Sequence, residues 1–322
     1  MDKKTLLIIL SILLFITLIT ILAYYLFPKK STYPSRASDQ RYFFPSLSQS
    51  GKELFYLESK DQVLDKFSLE TNKILDTYPI DVPFVENIIW NNNKDKAILE
   101  TLNKITGQKE IYTYDFNKKS LASLNQDTQK TNWLSEAKII YIFNNSGNYS
   151  LNQSEPDGTN WQKLVDLDKE FTGLKVSPDG KKVALFPQLT IYDIAINKLS
   201  PTQISSASDI QWSPDSQQIA IFASDKTEIY NITQNQAKTL KEKTDSNKFI
   251  WLSNEEAIIS KSGKYGDEIY KLNITTQKTK TIFKSTKKQP VEVESFLLSP
   301  DAKKLYLVNK KDYYLYEITL EK

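Results

Sequence analysis

The sequence has neither cysteine nor histidine among its 322 residues. Without cysteine, disulfide bonds, thiol catalysis, zinc ribbons, haem attachment and a bacterial lipoprotein signal are excluded. Without histidine, the chain lacks the commonest general base and the usual zinc ligand, and a Ser-His-Asp arrangement is impossible. Glycine is scarce, with eight residues, and none forms the G-x-S-x-G elbow of an α/β-hydrolase. Carboxylates therefore remain as the main candidates for acid–base chemistry.

The sequence contains one continuous apolar run, Leu6 to Phe27, which carries no charge over its 22 residues. As a helix rising about 1.5 Å per residue it spans roughly 33 Å, enough to cross a bilayer core about 30 Å thick. The run ends in bulky residues and lacks the small-residue cleavage site of a signal peptide. A buried core helix is the alternative, but it would normally have a polar face. We therefore predict an uncleaved transmembrane helix over about 6–27, with residues 1–30 forming a cytoplasmic tail and anchor.

The charges around this run give conflicting indications of orientation. Two lysines precede it, whereas four basic residues follow it between positions 29 and 41. By the positive-inside rule alone, this count would keep the rest of the chain inside the cell. A very short N-terminal tail before a single apolar segment is nevertheless the usual layout of a signal anchor. We therefore predict a single-pass protein of the cell membrane with its main domain on the extracytoplasmic side.

The composition beyond the anchor is that of a folded, uncharged domain. The chain is 40% hydrophobic and 12% aromatic, which is enough to form a sizeable core. Residues 1–30 hold four lysines and one aspartate, so the remainder has 38 basic and 38 acidic residues. A domain without net charge does not suit nucleic acid, which needs a clustered basic surface. We therefore predict no nucleic-acid partner, and no motif indicates a cofactor.

An internal repeat occupies almost all of the remaining chain. The segment VSPDGKKVALF at 176–186 returns as WSPDSQQIAIF at 212–222 and as LSPDAKKLYLV at 298–308, with degenerate copies elsewhere. The first position of each copy is here called the anchor residue. The anchors are Leu47, Trp90, Trp133, Val176, Trp212, Trp251 and Leu298. Seven units spaced by about 42 residues indicate a repeat architecture.

Each unit reads as short strands joined by turns. A strand rich in Val, Ile, Leu and Phe follows each anchor, and a second aligned stretch follows later in most units. The tyrosines of this second stretch are Tyr112, Tyr149, Tyr192, Tyr230, Tyr270 and Tyr316. Alternating apolar and polar residues that end in Asn, Gly, Asp or Thr are typical of a strand entering a hairpin turn.

The S-P-D-G segment has the chemistry of a turn between two strands. Proline presets φ, aspartate accepts from nearby amides, and glycine permits a positive φ. The predicted turn residues are Pro178, Asp179, Gly180, Pro214, Asp215, Pro300 and Asp301. Where glycine is lost, the turn must accommodate a small residue instead. A metal-binding role for these aspartates is the less favoured alternative.

The tryptophans follow the same repeat. Four of the five occupy anchor positions, where they alternate with Val and Leu, so the position requires bulk and not aromaticity. This is typical of core packing between stacked sheets, and it favours a structural role over ligand stacking. The fifth, Trp161, falls in a separate predicted hairpin, PDGTNWQKL.

Units of about 40 residues with four strands each predict an all-β protein, a β-propeller. Seven four-stranded blades fit the count better than six or eight. Residues 31–47 and 299–322 together amount to one repeat, so the N-terminal segment can supply the outer strand of the last blade. We predict a tether and possible closing strand over 31–41 and a propeller over 42–322.

The pattern of an apolar residue or Trp, then Ser-Pro-Asp-Gly-Lys-Lys, then Ile-Tyr and a turn, resembles the TolB-like repeat, also called WD40-like. It is clearest at 174–200, 210–232 and 296–318. True WD40 repeats carry a Gly-His pair, which a chain without histidine cannot have. TolB also has an α/β domain before its propeller, whereas only a short segment separates the predicted anchor from the repeats here. The resemblance implies a propeller, with protein binding as its commonest role.

Two classes of function follow, and the first is favoured. A membrane-tethered propeller would act as a scaffold that binds a protein or an envelope polymer and catalyses nothing. The alternatives are a carboxylate- or calcium-dependent propeller hydrolase or lyase, and an envelope assembly or sensor factor. No Asp-x-Asp-x-Asp-Gly loop is present to bind calcium. The lone pair Asp166 and Asp168 is better interpreted as part of a solvated loop.

Overall fold

The computed structural model describes Thr17 and residues 34–37, 41–58 and 62–320. The chain divides into two compact units, Met1–Pro34 and Ser35–Lys322, and the described strands all belong to the second. The predicted transmembrane helix, Leu6 to Phe27, lies outside the described residues except for Thr17. Within the described part of the chain, no helix has the length and apolar character needed to cross a membrane.

Ser35–Lys322 forms seven antiparallel sheets of four strands each, which confirms the predicted seven-bladed propeller. The chain begins with β1 (Ser35–Arg36), which joins the last blade. Blades 1 and 2 comprise β2 (Phe43–Leu47), β3 (Glu53–Glu58), β4 (Val63–Ser68), β5 (Lys73–Pro79), β6 (Phe84–Trp90), β7 (Lys96–Leu102), β8 (Lys109–Asp115) and β9 (Ser120–Ser123). Blades 3 and 4 comprise β10 (Thr128–Ser135), β11 (Lys138–Asn145), β12 (Asn148–Ser154), β13 (Gln162–Leu167), β14 (Gly173–Val176), β15 (Lys182–Phe186), β16 (Thr190–Asp193) and β17 (Lys198–Pro201).

The remaining strands complete the ring. Blades 5 and 6 comprise β18 (Asp209–Trp212), β19 (Gln218–Phe222), β20 (Thr227–Asn231), β21 (Gln236–Thr239), β22 (Phe249–Trp251), β23 (Glu256–Gly263), β24 (Gly266–Asn273) and β25 (Thr279–Lys284). Blade 7 comprises β26 (Val293–Leu298), β27 (Lys304–Asn309), β28 (Leu315–Thr319) and β1. A short 3-10 helix, Ser246–Lys248, precedes blade 6.

The second strand of each blade is the most deeply buried. In β19, Ile219, Ala220 and Ile221 are fully buried although they are consecutive in the sequence. Consecutive residues of a strand point to opposite faces of the sheet. A sheet covered on both faces therefore selects a continuous apolar run instead of alternation. This explains why the segment after each anchor is so uniformly apolar.

The hydrophobic core is divided among the interfaces between neighbouring blades. One cluster joins Phe186 and Ile204 of blade 4 to Trp212 and Ile219 of blade 5, and equivalent clusters lie at the other interfaces. The first strands of most neighbouring blades also contact one another, while the 3-10 helix contacts β18, β22 and β26. The first strands therefore form the inner ring of the propeller.

Ring closure is achieved by strand exchange between the two ends of the propeller. Ser35 pairs with Glu317, and Arg36 pairs with Tyr316. The main-chain N–H of Ala37 donates to the carbonyl of Leu315 at 2.8 Å. Residues from the start of the propeller thus provide the outer strand of its last blade, which covers a sheet edge that would otherwise be open.

Candidate functional site

The anchor residues lie at or near the end of the first strand of each blade. Leu47, Trp133, Trp212 and Trp251 are buried, while Trp90, Val176 and Leu298 are half-buried. All of them contribute to the apolar clusters between blades, and the half-buried Trp90, Val176 and Leu298 pack at the edges of their clusters. The structure thus places these residues in the core and in the inner ring.

The anchor tryptophans also carry hydrogen bonds that the sequence did not predict. Trp133 donates its indole N–H to the carbonyl of Ile89 at 2.8 Å, and Trp251 donates to Gln211 at 3.3 Å. Both carbonyls belong to the residue just before the anchor of the preceding blade. A buried indole N–H needs a polar partner, and here the partner is always a main-chain carbonyl of an adjacent blade. The indoles therefore connect blades as well as filling space.

The predicted turn residues lie in turns between the first and second strands. In blade 7, the Ser299 hydroxyl donates to Oδ1 of Asp301 at 2.7 Å, and the Lys303 N–H donates to the same oxygen at 3.1 Å. These hydrogen bonds, that of Ser299 first, lower the pKa of Asp301. Blades 4 and 5 repeat the arrangement around Asp179 and Asp215. The carboxylates thus bond within their own turns.

The positive-φ position of these turns accepts residues other than glycine. Gly180 has φ of 69°, Ser216 has 62° and Ala302 has 55°. The corresponding residue of blade 2 is Lys94, with φ of 60°, so a long side chain is accommodated where the sequence suggested a small one. The strained backbone is held by the surrounding hydrogen bonds.

Neighbouring turns are bonded to each other around one face of the ring. The N–H of Asp179 donates to the Ser216 hydroxyl at 3.1 Å, and the N–H of Asp215 donates to Oδ1 of Asn254 at 3.1 Å. Over the described ranges, no group of three or more acidic side chains is arranged to hold a metal ion. The predicted turn residues therefore serve contacts between blades.

Charged groups near the centre of the ring are paired or desolvated. The Lys175 ammonium lies 2.6 Å from Oδ1 of Asp209. Burial lowers the pKa of Lys94, while Glu136 opposes the effect. Oε2 of Glu136 accepts a hydrogen bond from the Asn91 amide. These groups stabilise the inner ring and present no pair of free carboxylates.

A groove of about 500 Å³ lies between blades 2 and 3. Its lining includes Leu124 at the end of blade 2 and Tyr141, Asn152 and Ser154 on the face of blade 3. Burial raises the pKa of Tyr141, hydrogen bonds with the side chains of Ser154 and Asn152 oppose this effect, and the phenol is protonated at neutral pH. Asn152 is only 3% exposed, and no hydrogen bond from any described residue reaches its Oδ1. A buried acceptor without a donor is costly, and of the six such side-chain atoms among the described residues only that of Asn152 belongs to the lining of this groove.

The groove lies where blade 3 departs from the repeat. In blade 5, Trp212 pairs with Ile219 and Ile219 pairs with Tyr230, which fills the interface with blade 4. In blades 1, 2, 4, 6 and 7, the residue equivalent to Tyr230 also has a large, mainly apolar side chain. These residues are Phe67, Tyr114, Tyr192, Leu272 and Ile318. In blade 3 it is Ser154, which pairs with Ile139, and the lost volume coincides with the groove.

This register corrects the sequence alignment of the tyrosines. Tyr192 and Tyr230 occupy the equivalent position, whereas Tyr112, Tyr270 and Tyr316 lie two residues before it. Tyr149 lies five residues before Ser154 and pairs with Asn144. The tyrosine of blade 3 therefore does not replace the missing side chain, and sequence reasoning overlooked the groove.

A long loop places Trp161 at the groove. Residues 155–161 join β12 to β13, whereas the corresponding turns of blades 4 and 5 have four residues, 194–197 and 232–235. Trp161 is 65% exposed and lines the groove. The sequence signals for this site were the one tryptophan outside the anchor positions and the extra loop length.

Internal hydrogen bonds fix the conformation of this loop. Asp157 accepts from the Thr159 hydroxyl at 2.6 Å and from the Thr159 N–H at 3.0 Å, and these bonds lower the pKa of Asp157. Glu155 accepts from the Asn160 amide at 2.7 Å. The Thr113 hydroxyl of blade 2 donates to the carbonyl of Pro156 at 2.7 Å, which fastens the loop to the other side of the groove. The loop that carries Trp161 is thus ordered before any ligand arrives.

The groove has one carboxylate, and it is paired. Oδ1 of Asp166 lies 2.8 Å from the Lys163 ammonium, and both side chains are exposed. Asp166 lies in β13, so the interpretation as a loop was wrong for this residue, whereas Asp168 follows the strand, and both residues are exposed. The groove therefore combines an exposed indole, a buried phenol and amide, and a compensated ion pair.

Comparisons with known proteins identify the fold but no family. No family model matches the sequence, and no curated protein matches it. Among solved structures, the chain is similar to the crystal structure of the β-propeller domain of Cps50 (Swd1) from Myceliophteria thermophila. The TM-score is 0.63 at 9% sequence identity, over 90% of this chain and 100% of that one. At this identity the likeness shows the fold alone, which is a WD40-like seven-bladed β-propeller.

Proposed function

We propose that the protein is a membrane-tethered, extracytoplasmic binding module that holds a macromolecular ligand in the groove between blades 2 and 3 and catalyses no reaction. The ligand is a protein or a polymer of the cell envelope. The observation that carries this proposal is the buried Oδ1 of Asn152, without a described donor, beside the exposed indole of Trp161. A concave site with an aromatic surface and a few convergent polar groups is the usual form of a binding pocket.

The chemistry of the groove favours binding over catalysis. General acid–base catalysis needs a group that exchanges a proton near neutral pH. Tyr141 stays protonated because burial raises its pKa, and Asp166 is paired with Lys163. Asn152 does not titrate. These groups are suited to hydrogen bonding with a ligand and not to proton transfer.

The proposed location at the membrane is argued from the sequence. The apolar run of Leu6 to Phe27 carries no charge over its 22 residues and is long enough to span a bilayer. The Ser-Pro-Asp-Gly repeat supports the TolB-like type of propeller, which implies protein binding in the cell envelope. Tethering to a membrane would raise the local concentration of such a module near its ligand.

Binding through the groove is tested with the full chain immobilised in detergent and exposed to the protein and polysaccharide fractions of the native envelope. Trp161→Ala should abolish retention of the bound component. Ile196→Ala is the matched control, because Ile196 is 67% exposed in a turn of blade 4. Equal retention by both variants, or no retention by the wild type, would contradict the proposal.

The membrane topology is tested separately by adding protease to spheroplasts. If the propeller is extracytoplasmic, residues beyond about 42 should be digested while the extreme N-terminus is protected. A propeller that is digested only after lysis would place it inside the cell, as the basic residues after the apolar run suggest.

A further inference from the structure

Resting on the proposed function, we propose that the ligand of the groove between blades 2 and 3 is an uncharged carbohydrate chain, with one sugar ring against Trp161 and a sugar hydroxyl donating to Asn152. The inference names the chemical class of the ligand, which the proposed function leaves open between a protein and an envelope polymer. It rests on four features of the groove, namely its charge, its unpaired acceptor, its aromatic surface and the pairing of its main chain.

The charge of the groove favours a neutral ligand. Its lysine and its aspartate, Lys163 and Asp166, form an ion pair with an N–O distance of 2.8 Å. The other polar groups of its lining are amides and hydroxyls, including those of Asn152, Ser150 and Thr128. A phosphate or carboxylate would find no uncompensated cation in this lining, because the Lys163 ammonium already faces the Asp166 carboxylate. An anionic polymer is therefore disfavoured.

The buried amide requires a donor from the ligand. Oδ1 of Asn152 accepts no hydrogen bond from the described residues, although the side chain is only 3% exposed. The phenol of Tyr141 lies on the same side of the groove, interacts with the side chains of Ser154 and Asn152, and can both donate and accept. A sugar carries adjacent hydroxyls that also donate and accept. Such a ligand can satisfy Oδ1 and the neighbouring phenol together, which offsets the cost of the buried acceptor.

The indole provides the apolar part of the site. Trp161 is 65% exposed, and its loop is fixed by Asp157, by Glu155 and by the bond from Thr113 to Pro156. One face of a pyranose ring is made of C–H groups, which pack against the face of an indole. Because the loop is already ordered, little conformational entropy is lost when the ring is bound.

The main chain of the groove disfavours an extended peptide. Strand β12 pairs with β11 on one side and with β13 on the other. Most of the lining side chains, including that of Asn152, project from the face of this sheet, whereas a peptide that adds a strand requires an open sheet edge, which β12 lacks and only the outer strand β13 of this pair offers. A ligand must therefore be recognised by side chains and by ring stacking, and a carbohydrate meets both requirements.

The experiment uses the full chain in a polyoxyethylene detergent, because glucoside and maltoside detergents would compete as sugars. The probes are the neutral hexasaccharides of glucose in α-1,4 and β-1,4 linkage and of N-acetylglucosamine, with polygalacturonate as an anionic probe. Binding is measured by calorimetry and by intrinsic fluorescence. We expect saturable binding of at least one neutral probe and none of polygalacturonate.

Matched variants locate the binding in the groove. Trp161→Ala should lower the affinity for the neutral probe at least tenfold, while Trp161→Phe should retain part of this affinity. Asn152→Ala should lower the affinity for the neutral probe about tenfold, which is the effect of losing one buried hydrogen bond worth about 1.4 kcal/mol. Ile196→Ala should have no effect. Because Trp161 is exposed, its variants report on binding even if Asn152→Ala fails to fold.

The results separate this inference from the proposed function. If no neutral probe binds, but an envelope protein or anionic polymer is retained in a Trp161-dependent manner, the carbohydrate assignment is wrong and the binding function stands. If neither the probes nor any envelope component binds, both are wrong. Neutral-probe binding that is unchanged in Trp161→Ala would place the carbohydrate site elsewhere and would also overturn the assignment.

Discussion

The indole nitrogen of Trp212 donates a 3.0 Å hydrogen bond to the carbonyl oxygen of Lys175 in the preceding blade. The Lys175 ammonium returns a 2.8 Å hydrogen bond to the carbonyl of Ile210. The two residues thus connect blades 4 and 5 in both directions while the indole ring fills their apolar interface. A propeller has no core that all blades share, so such pairwise contacts determine whether the ring holds together.

Replacement of Trp212 with alanine should lower the free energy of unfolding by about 3–5 kcal/mol, the usual cost of deleting a large buried aromatic. Trp212→Phe keeps much of the packing but removes the indole N–H, so it should cost less than alanine but remain measurable. Trp161→Ala should cost well under 1 kcal/mol, because the side chain is 65% exposed. Denaturant unfolding gives all three values, and equal losses at Trp212 and Trp161 would refute the packing role of the anchor.

Loss of the Lys248 ammonium should strongly destabilise the junction between blades 6 and 7. It lies 2.8 Å from Oδ2 of Asp267, which is buried and also accepts from the Val293 N–H at 2.8 Å. Lys248→Met would leave a buried carboxylate without its cation, at a cost of about 3 kcal/mol. The double variant Lys248→Met with Asp267→Asn should recover part of this loss. Urea unfolding provides the comparison, and a double variant no more stable than the single one would contradict the explanation.

The buried carboxyl of Asp65 should make stability depend on pH in an unusual direction. Burial raises its pKa, although a 2.9 Å hydrogen bond from the Thr77 hydroxyl opposes this. The carboxyl of Asp65 therefore binds its proton more tightly in the folded state than in the unfolded state. Its contribution to the free energy of unfolding is greatest at low pH. It is lost as pH rises through the unfolded and then the folded pKa.

Asp65→Asn should accordingly be more stable than the wild type at pH 7, with the difference shrinking towards pH 3. Asp76→Asn, on the adjacent strand β5, is the matched control. Hydrogen bonds, that from Tyr78 first, lower the pKa of Asp76, so its contribution is present at neutral pH and lost on acidification. Thermal melts across this pH range should show opposite signs for the two variants. A pH-independent effect of Asp65→Asn would disprove the prediction.

A substitution that removes a main-chain hydrogen bond of the closing segment should weaken the closure of the propeller between β1 and β28. Ala37→Pro removes the N–H that donates to the buried Leu315 carbonyl, which should cost about 1–3 kcal/mol. Ala37→Ser retains the N–H and should be nearly neutral. Hydrogen exchange of the β28 amides should accelerate in the proline variant alone. Unchanged exchange there would mean that β1 does not protect the last blade.

Much of the fold could be predicted from local patterns in the sequence. The Ser-Pro-Asp-Gly turn around Gly180 specifies where the first two strands meet, because its residues determine their own backbone angles. The spacing of the anchors then gives the number of blades. Interactions over longer separations were not visible, including the bond from the Trp133 indole to Ile89 and the burial of Asp65.

The groove shows most clearly why the candidate site could not be predicted. Ser154 and Tyr149 are both in the third strand of blade 3, and the sequence pattern aligned the tyrosine with the repeat. Register is decided by pairing with the neighbouring strand, and Ile139 pairs with Ser154. A shift of register changes which side chains face the adjacent blade. Only the paired structure therefore shows that a small polar residue replaces a large apolar one.

The sequence by itself determined the repeat, its turns and the seven blades, because these depend on residues close together in the chain. The tertiary structure decided which interface between blades is incompletely filled and which polar atom in it has no hydrogen-bond donor among the described residues. These properties depend on volumes and hydrogen bonds contributed by two blades at once. Leu124 and Thr113 of blade 2 meet Asn152 and the loop of Trp161 only where blades 2 and 3 pack against each other.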